Sequence, residues 1–248
     1  MPPRPSRAHL LVTCLVDAFF PETGEAVVRV LERLGVAVDF NPAQTCCGQP
    51  AFNSGFEDEA RQLARYTVDL FSGDDRPVVV PSGSCADMIV HRFPALLSDD
   101  ERYRERARAL SARTFEFTQF LARVIGVSDV GARCSGCLAY HASCHGLRGL
   151  GVRDEPMRLL DHVGNARVVP LEDADTCCGF GGLFAVKMPA VSSAMLDRKI
   201  ACIERSRADT IVTTDVSCAM HMAGALHRRG SRVRVVHIAN LLAEGEGG

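Results

Sequence analysis

The stretch CCGQP, residues 46–50, returns as CCGFGG at residues 177–182. Neighbouring cysteines bond to each other only with strain, because a disulfide wants its Cα atoms about 5.5 Å apart. Two thiolates ahead of a flexible glycine suit a loop wrapped around a thiophilic metal centre instead. The repetition extends outward from these turns. Upstream, LLVTCLVD carries Cys14 and AYHASCHG carries Cys144; downstream, PSGSC ends at Cys85 and TDVSC ends at Cys218. The four equivalent pairs are offset by 130, 131, 131 and 133 residues. Near-constant offset at four cysteines marks a tandem duplication, with a period far beyond the ~20–50 residues of solenoid repeats.

Each half alternates strand-like and helix-like segments. HLLVTCL reads as a strand, PETGEAVVRVLERLG as an amphipathic helix stopped by Gly35, and VAVDF as a second strand. FEDEARQLARYTVDLFSG is a helix ending at Gly73, and PVVVPS is a third strand followed by a helix from about Cys85. The second half runs in the same order through LAYHASC, EPMRLLDHVG, ARVVPL, SSAMLDRKIACIERS, DTIVTTD and CAMHMAGALHRRG. RVRVVHIANLL reads as a closing strand, with TFEFTQFLARVIG as its counterpart. Short β-branched strands between turns suggest buried parallel sheets. The expected fold class is α/β: two similar tandem lobes, each with a mostly parallel sheet flanked by helices. The small, polar GVSDVGA places the boundary near 125–132, giving domains 1–128 and 129–248.

The 248 residues suffice for one large domain or two smaller ones, and 47% hydrophobic with 23% charged residues is ordinary for a globular chain. A formal net charge of −2 supplies no basic field for nucleic acid. No apolar run reaches the length of a membrane span, and the N-terminal stretch MPPRPSRAHLLVTCL reads better as a first strand than as a signal peptide. Eleven cysteines are many, and the number is odd. Without an export signal they point to a reducing cytoplasm and metal-ligating thiolates rather than a disulfide frame. The charged stretch 98–113 reads as a solvated helix face.

In parallel α/β sheets ligands collect beyond the carboxyl ends of the strands. Cys14 is expected to end the first strand, Cys46 and Cys47 to lie in the loop after the second, and Cys85 in the loop after the third. Cys144, Cys177, Cys178 and Cys218 repeat the arrangement, so two pockets of four thiols are expected. Four thiolates fit a 4Fe–4S cluster or an all-cysteine zinc site. Zinc prefers short C-x2-4-C pairs, and an adjacent pair places both sulfurs poorly on one tetrahedral ion, so one or two iron–sulfur clusters are favoured with zinc as the alternative. Gly48, Gly179, Gly181 and Gly182 would let backbone N–H groups approach sulfur; as plain tight-turn residues they would need no such role. GFGG lacks the Lys-Ser/Thr of a phosphate loop.

On these motifs the chain resembles the cysteine-rich CCG-domain family, which occurs in heterodisulfide reductase and in the iron–sulfur subunit of glycolate oxidase. VTCLVD, CCGQPAFNSG, PSGSC, SCHGLRGLGV and CCGFGGLFAVKM look most like the lactate utilization protein A group, over nearly the whole chain. The resemblance implies a cytoplasmic iron–sulfur oxidoreductase subunit serving L-lactate oxidation to pyruvate and electron transfer. It implies two partners, a ferredoxin-like iron–sulfur protein and a third lactate-utilization protein, with a small 2-hydroxy acid or an electron carrier as the small-molecule contact. It also implies that the eight cysteines are the cluster ligands. The family's terminal Cys-x-x-Cys is incomplete here, its first position being Ser82 and Asp215. That departure disfavours a five-cysteine noncubane cluster of the heterodisulfide-reductase kind and leaves a thiol/disulfide redox role as an alternative. Ser82 or Asp215 would supply an oxygen ligand or leave one iron open. A zinc-stabilised, non-catalytic assembly module is the other alternative.

Other residues carry two readings each. Cys134 and Cys137 form a CSGC pair, read as loop and strand thiols or as a redox pair. Cys202 reads as a buried helix thiol. His141 and His145 flank Cys144 as cluster neighbours or structural histidines, and His221 lies one turn beyond Cys218. Asn53 would shape the loop after the first pair. Lys187 and Arg148 would hold a carboxylate substrate or lie solvated at the surface.

Overall fold

The structure, a computed structural model, describes residues 4–245; residues 1–3, the opening of the N-terminal stretch read above for a leader, and 246–248 lie outside the described residues. The first half contains β1 (Arg7–Leu10), α1 (Cys14–Phe19), α2 (Pro21–Arg33), β2 (Ala37–Phe40), α3 (Gln49–Asn53) and α4 (Glu57–Leu70). It continues through β3 (Val78–Val80), α5 (Gly83–Asp87), α6 (Phe93–Leu96), α7 (Arg104–Ala112), β4 (Thr114–Glu116) and α8 (Phe117–Gln119). The second half repeats the scheme with β5 (Arg133–His141), α9 (Asp154–Leu160), β6 (Gly164–Val168), α10 (Leu183–Lys187) and α11 (Pro189–Ser206). It closes with β7 (Thr210–Thr213), α12 (Val216–Arg228), β8 (Arg234–His237) and α13 (Ile238–Ala243).

Two four-stranded sheets result, ordered β2-β1-β3-β4 and β6-β5-β7-β8, and every strand pair in both is parallel. The two tandem α/β lobes read from the sequence are therefore present. In each sheet the chain steps outward from β1 (or β5) to one edge and then crosses to the other side. The gap between β1 and β3, and between β5 and β7, is thus a switch point, where crossover loops diverge and open a crevice.

Three expected strands are shorter than the apolar runs suggest. β1 stops at Leu10, so Cys14 does not end a strand; it is the first residue of α1. TFEFTQFLARVIG pairs only through Thr114–Glu116 before turning helical through Phe117–Gln119 and a wider π-helical segment, Phe120–Ile125. RVRVVHIANLL likewise stops pairing at His237 and continues as α13. In both, a side chain caps the new helix: Glu116 accepts from the Thr118 and Gln119 amides, and His237 Nδ1 from the Ala239 amide. Apolar residues of the run then face the core at helical rather than strand spacing. The charged stretch 98–113 forms α7, which buries Ala107 and Leu110 and turns Arg104, Glu105 and Arg108 outward.

The lobes share a central core. Val27, Val30 and Leu31 of α2 cluster with Ile238, Leu241 and Leu242 of α13, and Phe120 and Leu121 with Leu159 and Leu160 of α9. The last helix of each lobe therefore packs on the first crossover helix of the other, as in a twofold-symmetric dimer. Two outer cores, one per lobe, lie behind the cysteines and include Cys47 with Cys85, and Cys178 with Cys218.

Candidate metal centre

In each lobe the four cysteines arrive from three successive connections of the sheet, the adjacent pair together. Cys14 starts α1 just beyond β1, and Cys144 follows β5 at the start of the helical turn His145–Gly149. Cys46 and Cys47 end the loop after β2, and Cys177 and Cys178 the loop after β6. Cys85 lies in α5 and Cys218 in the first turn of α12. Gly48 has φ +83° and Gly179 φ +89°, which turn the chain back into the lobe directly after each pair. A side chain on Gly179 would place its Cβ 2.6 Å from the Ser192 carbonyl oxygen of α11, so glycine is required for space as well as for conformation. The Gly179 amide donates to Cys177 Sγ at 3.3 Å. Gly48 and Gly179 fill the tight-turn role, and their amides also reach cysteine sulfur.

All eight cysteines line one and the same cavity of about 310 Å³, formed where the lobes face each other. The expectation of two separate pockets is corrected here: the reciprocal packing of the lobes brings their switch-point crevices mouth to mouth. Within the cavity the thiols stay grouped in quartets. Cys14, Cys46, Cys47 and Cys85 are linked in that order by thiol contacts, as are Cys144, Cys177, Cys178 and Cys218. Cys47 Sγ lies 3.2 Å from Cys85 Sγ.

The quartets are electrostatically incomplete as thiols. Cys46 is held far below the usual thiol range because Cys14 and Cys47 donate to it, with the Gly48 amide adding to the effect. Cys177 is held down in the same way by Cys144 and Cys178, helped by the Gly179 amide. The same contacts, with burial, push Cys14, Cys47, Cys144 and Cys178 up. In each quartet one thiol is thus pushed toward ionisation while its contacting neighbours are pushed away from it. A cationic centre would let the rest ionise, so the donor set fits a thiolate-bound metal group. All eleven cysteines are free.

Ser82 and Asp215 line the cavity, but their oxygens are already engaged. Ser82 Oγ accepts from the Cys85 amide and donates to Asp215 Oδ2 at 3.1 Å, and Asp215 also accepts from the Ser84 and Ser217 amides. The two positions that lack the family cysteine form a clasp between the lobes. A second clasp, Asp87 of α5 to His145 Nδ1 at 2.9 Å, was not legible in the sequence, because nothing about a lone aspartate two residues past Cys85 predicts a partner in the other half. Asp87 holds the His145 pKa above its usual value. Gly83 and Gly149 make this crossing possible, since a Cβ on Gly149 would lie 2.2 Å from Asp87 Oδ1.

His141 is fully buried, and neither ring nitrogen makes a hydrogen bond. One of them lies with Cys178 Sγ and Cys218 Sγ in a group whose atoms are all within 4.8 Å of one another. Burial, reinforced by Lys199, lowers its pKa to about 3, so the ring is neutral. His221 instead stacks edge-on against Phe180 and lies 3.4 Å from Ser192 Oγ, outside the cavity lining. Asn53 lines the cavity as expected. Lys187 and Arg148 do not; Arg148 donates to the Asp175 carbonyl on the surface. Cys134 and Cys137 sit on β5 away from the cavity, with Cys137 Sγ accepting from Arg167 at 3.2 Å, and Cys202 is buried in the outer core.

Residues 8–90 and 138–223 each match the cysteine-rich domain, CCG. The chain belongs to the CCG cysteine-rich domain family. This CCG protein is similar to Lactate utilization protein A of Geobacillus kaustophilus, 48% identical over 95% of this chain and 98% of that protein. It is 44% identical to Lactate utilization protein A of Bacillus subtilis, again over 95% of this chain and 98% of the relative. Among solved structures, a hypothetical protein from Helicobacter pylori superposes with a TM-score of 0.67 at 9% identity. That match covers 99% of this CCG chain, which spans 50% of the Helicobacter chain, and it concerns the fold alone. Among the described residues no helix is long and apolar enough to cross a membrane.

Proposed function

We propose that this CCG protein is a cytoplasmic iron–sulfur subunit of an oxidoreductase complex that serves L-lactate oxidation to pyruvate. Cys14, Cys46, Cys47 and Cys85 would hold one 4Fe–4S cluster, and Cys144, Cys177, Cys178 and Cys218 a second. The observation that carries this reading is the convergence of all eight thiols on one cavity between the lobes. Such a group, when bound, supplies one-electron carriage, tuned by the hydrogen bonds and charges around its sulfurs. The protein's own residues supply the thiolates and the Gly48 and Gly179 amides that stabilise them. We read 1–128 and 129–248 as the duplicated units.

The lactate role comes from the relatives, which are named Lactate utilization protein A. Among the described residues that line the cavity there is no Lys or Arg, and His145 is matched by Asp87. A 2-hydroxy acid would find no free cation there for its carboxylate. Dehydrogenation therefore belongs to a partner, and this subunit relays the electrons. The partners proposed are a ferredoxin-like iron–sulfur protein and a third lactate-utilization protein.

A second reading, a zinc-stabilised assembly module, is favoured only by the Cys178, Cys218 and His141 group, a donor set zinc accepts. Anaerobic purification separates the two. Iron–sulfur protein will be brown and contain iron and acid-labile sulfide, and Cys47→Ser and Cys178→Ser will each remove about half of both. Colourless protein carrying zinc without sulfide, or full cluster content in both variants, would overturn the assignment.

A further inference from the structure

The duplication preserves the cysteines but not what lies behind them. The offset that pairs Cys14 with Cys144 pairs Leu11 with His141. Leu11 is buried in the outer core with Cys47 and Cys85. His141 occupies the matching place behind Cys178 and Cys218, with both ring nitrogens buried and unpartnered. A second difference lies in the helix beneath. Ala60 and Leu63 stand against Gly48 as Ser192 and Met195 stand against Gly179. In that register Thr67 of α4 corresponds to Lys199 of α11. Thr67 Oγ1 satisfies itself on the Leu63 carbonyl. Lys199 is 1% exposed, donates to the Asp173 carbonyl, and interacts electrostatically with Cys202 and Asp173 first and then with Cys178.

An unpartnered buried imidazole is costly, and such a group in a native fold calls for a partner. A neutral imidazole carries one N–H, and the acceptors near it are the Cys178 and Cys218 sulfurs, within 4.8 Å, and the Ala174 carbonyl. A donor to a cluster's thiolate sulfur, and a cation nearby, both favour the reduced, more negative state. The first quartet has an aliphatic side chain and a neutral hydroxyl in these places. The inner cysteines are buried alike, Cys47 being 3% and Cys178 2% exposed, Cys85 8% and Cys218 6%, while of the outer ones Cys14 is exposed and Cys144 half-buried. The Asp215 carboxylate accepts from Ser82 and Ser84 of the first lobe while capping α12 of the second, and its charge acts on Cys144 of the second quartet, offsetting part of the effect of Lys199.

We propose that the two centres are unequal electron sites: the second quartet, backed by His141 and Lys199, is the higher-potential centre on which electrons collect, and the first, backed by Leu11 and Thr67, is the lower-potential one. His141 is then a hydrogen-bond donor to ligand sulfur, not a ligand. This rests on the iron–sulfur reading above. It gives the relay a direction within one chain, from the first lobe to the second.

The test is a redox titration of anaerobic, full-length protein, following the paramagnetic signal of each centre. Cys47→Ser leaves the second centre and Cys178→Ser leaves the first. The Cys47→Ser protein is expected to reduce at a potential more positive than that of Cys178→Ser, by at least a tenfold difference in the reduction equilibrium, about 59 mV for one electron. In the Cys47→Ser background, His141→Leu is expected to shift the remaining centre toward the potential of the first with its iron and sulfide intact. Lys199→Met should shift it in the same direction, and decides the matter if His141→Leu does not fold. Equal midpoints in the two cysteine variants, the reverse order, or no shift with either second variant would overturn the inference while sulfide analysis still supports clusters. Loss of iron from folded His141→Leu would make His141 a ligand and also overturn it. Absence of sulfide from the unsubstituted protein would instead sink the iron–sulfur reading itself.

Discussion

Gly48 and Gly179 hold positive φ angles at equivalent turns, but their surroundings differ. A Cβ at position 48 would lie 3.3 Å from Leu63 Cβ, whereas at 179 it would lie 2.6 Å from a backbone oxygen that cannot swing aside. Both substitutions to alanine strain the left-handed turn, at a cost of about 1 kcal/mol. Gly179→Ala adds a backbone clash and is expected to cost roughly twice that or more. Thermal unfolding of the two variants, compared under anaerobic conditions, should rank Gly179→Ala as clearly less stable than Gly48→Ala. Equal losses would mean that only φ matters at these turns. The cysteines themselves were legible in the sequence, because metal-ligand residues are few in kind and their spacing repeats. The roles of Ser82 and Asp215 were not, because the position named only a missing cysteine and not the hydrogen bonds that fill its place.

Where β4 passes into α8, Glu116 is fully buried, and one of its carboxyl oxygens has no partner while the other caps the helix. Burial raises its pKa from the ordinary 4.5 to about 7, outweighing the Thr118 and Gln119 contacts that lower it. Between those values the native state holds a proton that the unfolded chain has lost. The stability linked to this group is therefore full below the ordinary value and lost as pH rises toward 7, by about 3 kcal/mol in all. Glu116→Gln keeps an acceptor for the cap and removes the titration. Denaturant unfolding across pH 4.5–7 should show wild type losing stability relative to the variant. Parallel curves would show that the carboxyl is solvated in the native state. At this scale sequence reading was least secure. TFEFTQFLARVIG has the composition of a strand, and only the capping box and the core spacing of Phe117, Phe120 and Leu121 turn it into a helix.

The shared core makes the two lobes one cooperative body. Leu241 of α13 is 2% exposed in the cluster it forms with α2 of the other lobe, and Arg33 of α2 donates to the Val130, Leu242 and Ala243 carbonyls. Leu241→Ala is expected to cost about 2–5 kcal/mol. Hydrogen exchange should show amides of both sheets losing protection together, with a single unfolding transition retained. Faster exchange confined to the second sheet would show that the lobes unfold independently. By itself the sequence determined that the chain is a duplication, that each half is a parallel α/β lobe, and that eight thiols lie at the carboxyl ends of strands. Those features are local or periodic, and one-dimensional pattern carries them. That both quartets open on one cavity, that Ser82 and Asp87 reach across to Asp215 and His145, and that a buried imidazole backs only the second quartet were decided by the tertiary structure. They depend on how the helices of one lobe pack against those of the other, and that packing is set by contacts between residues far apart in the chain, which no local signal encodes.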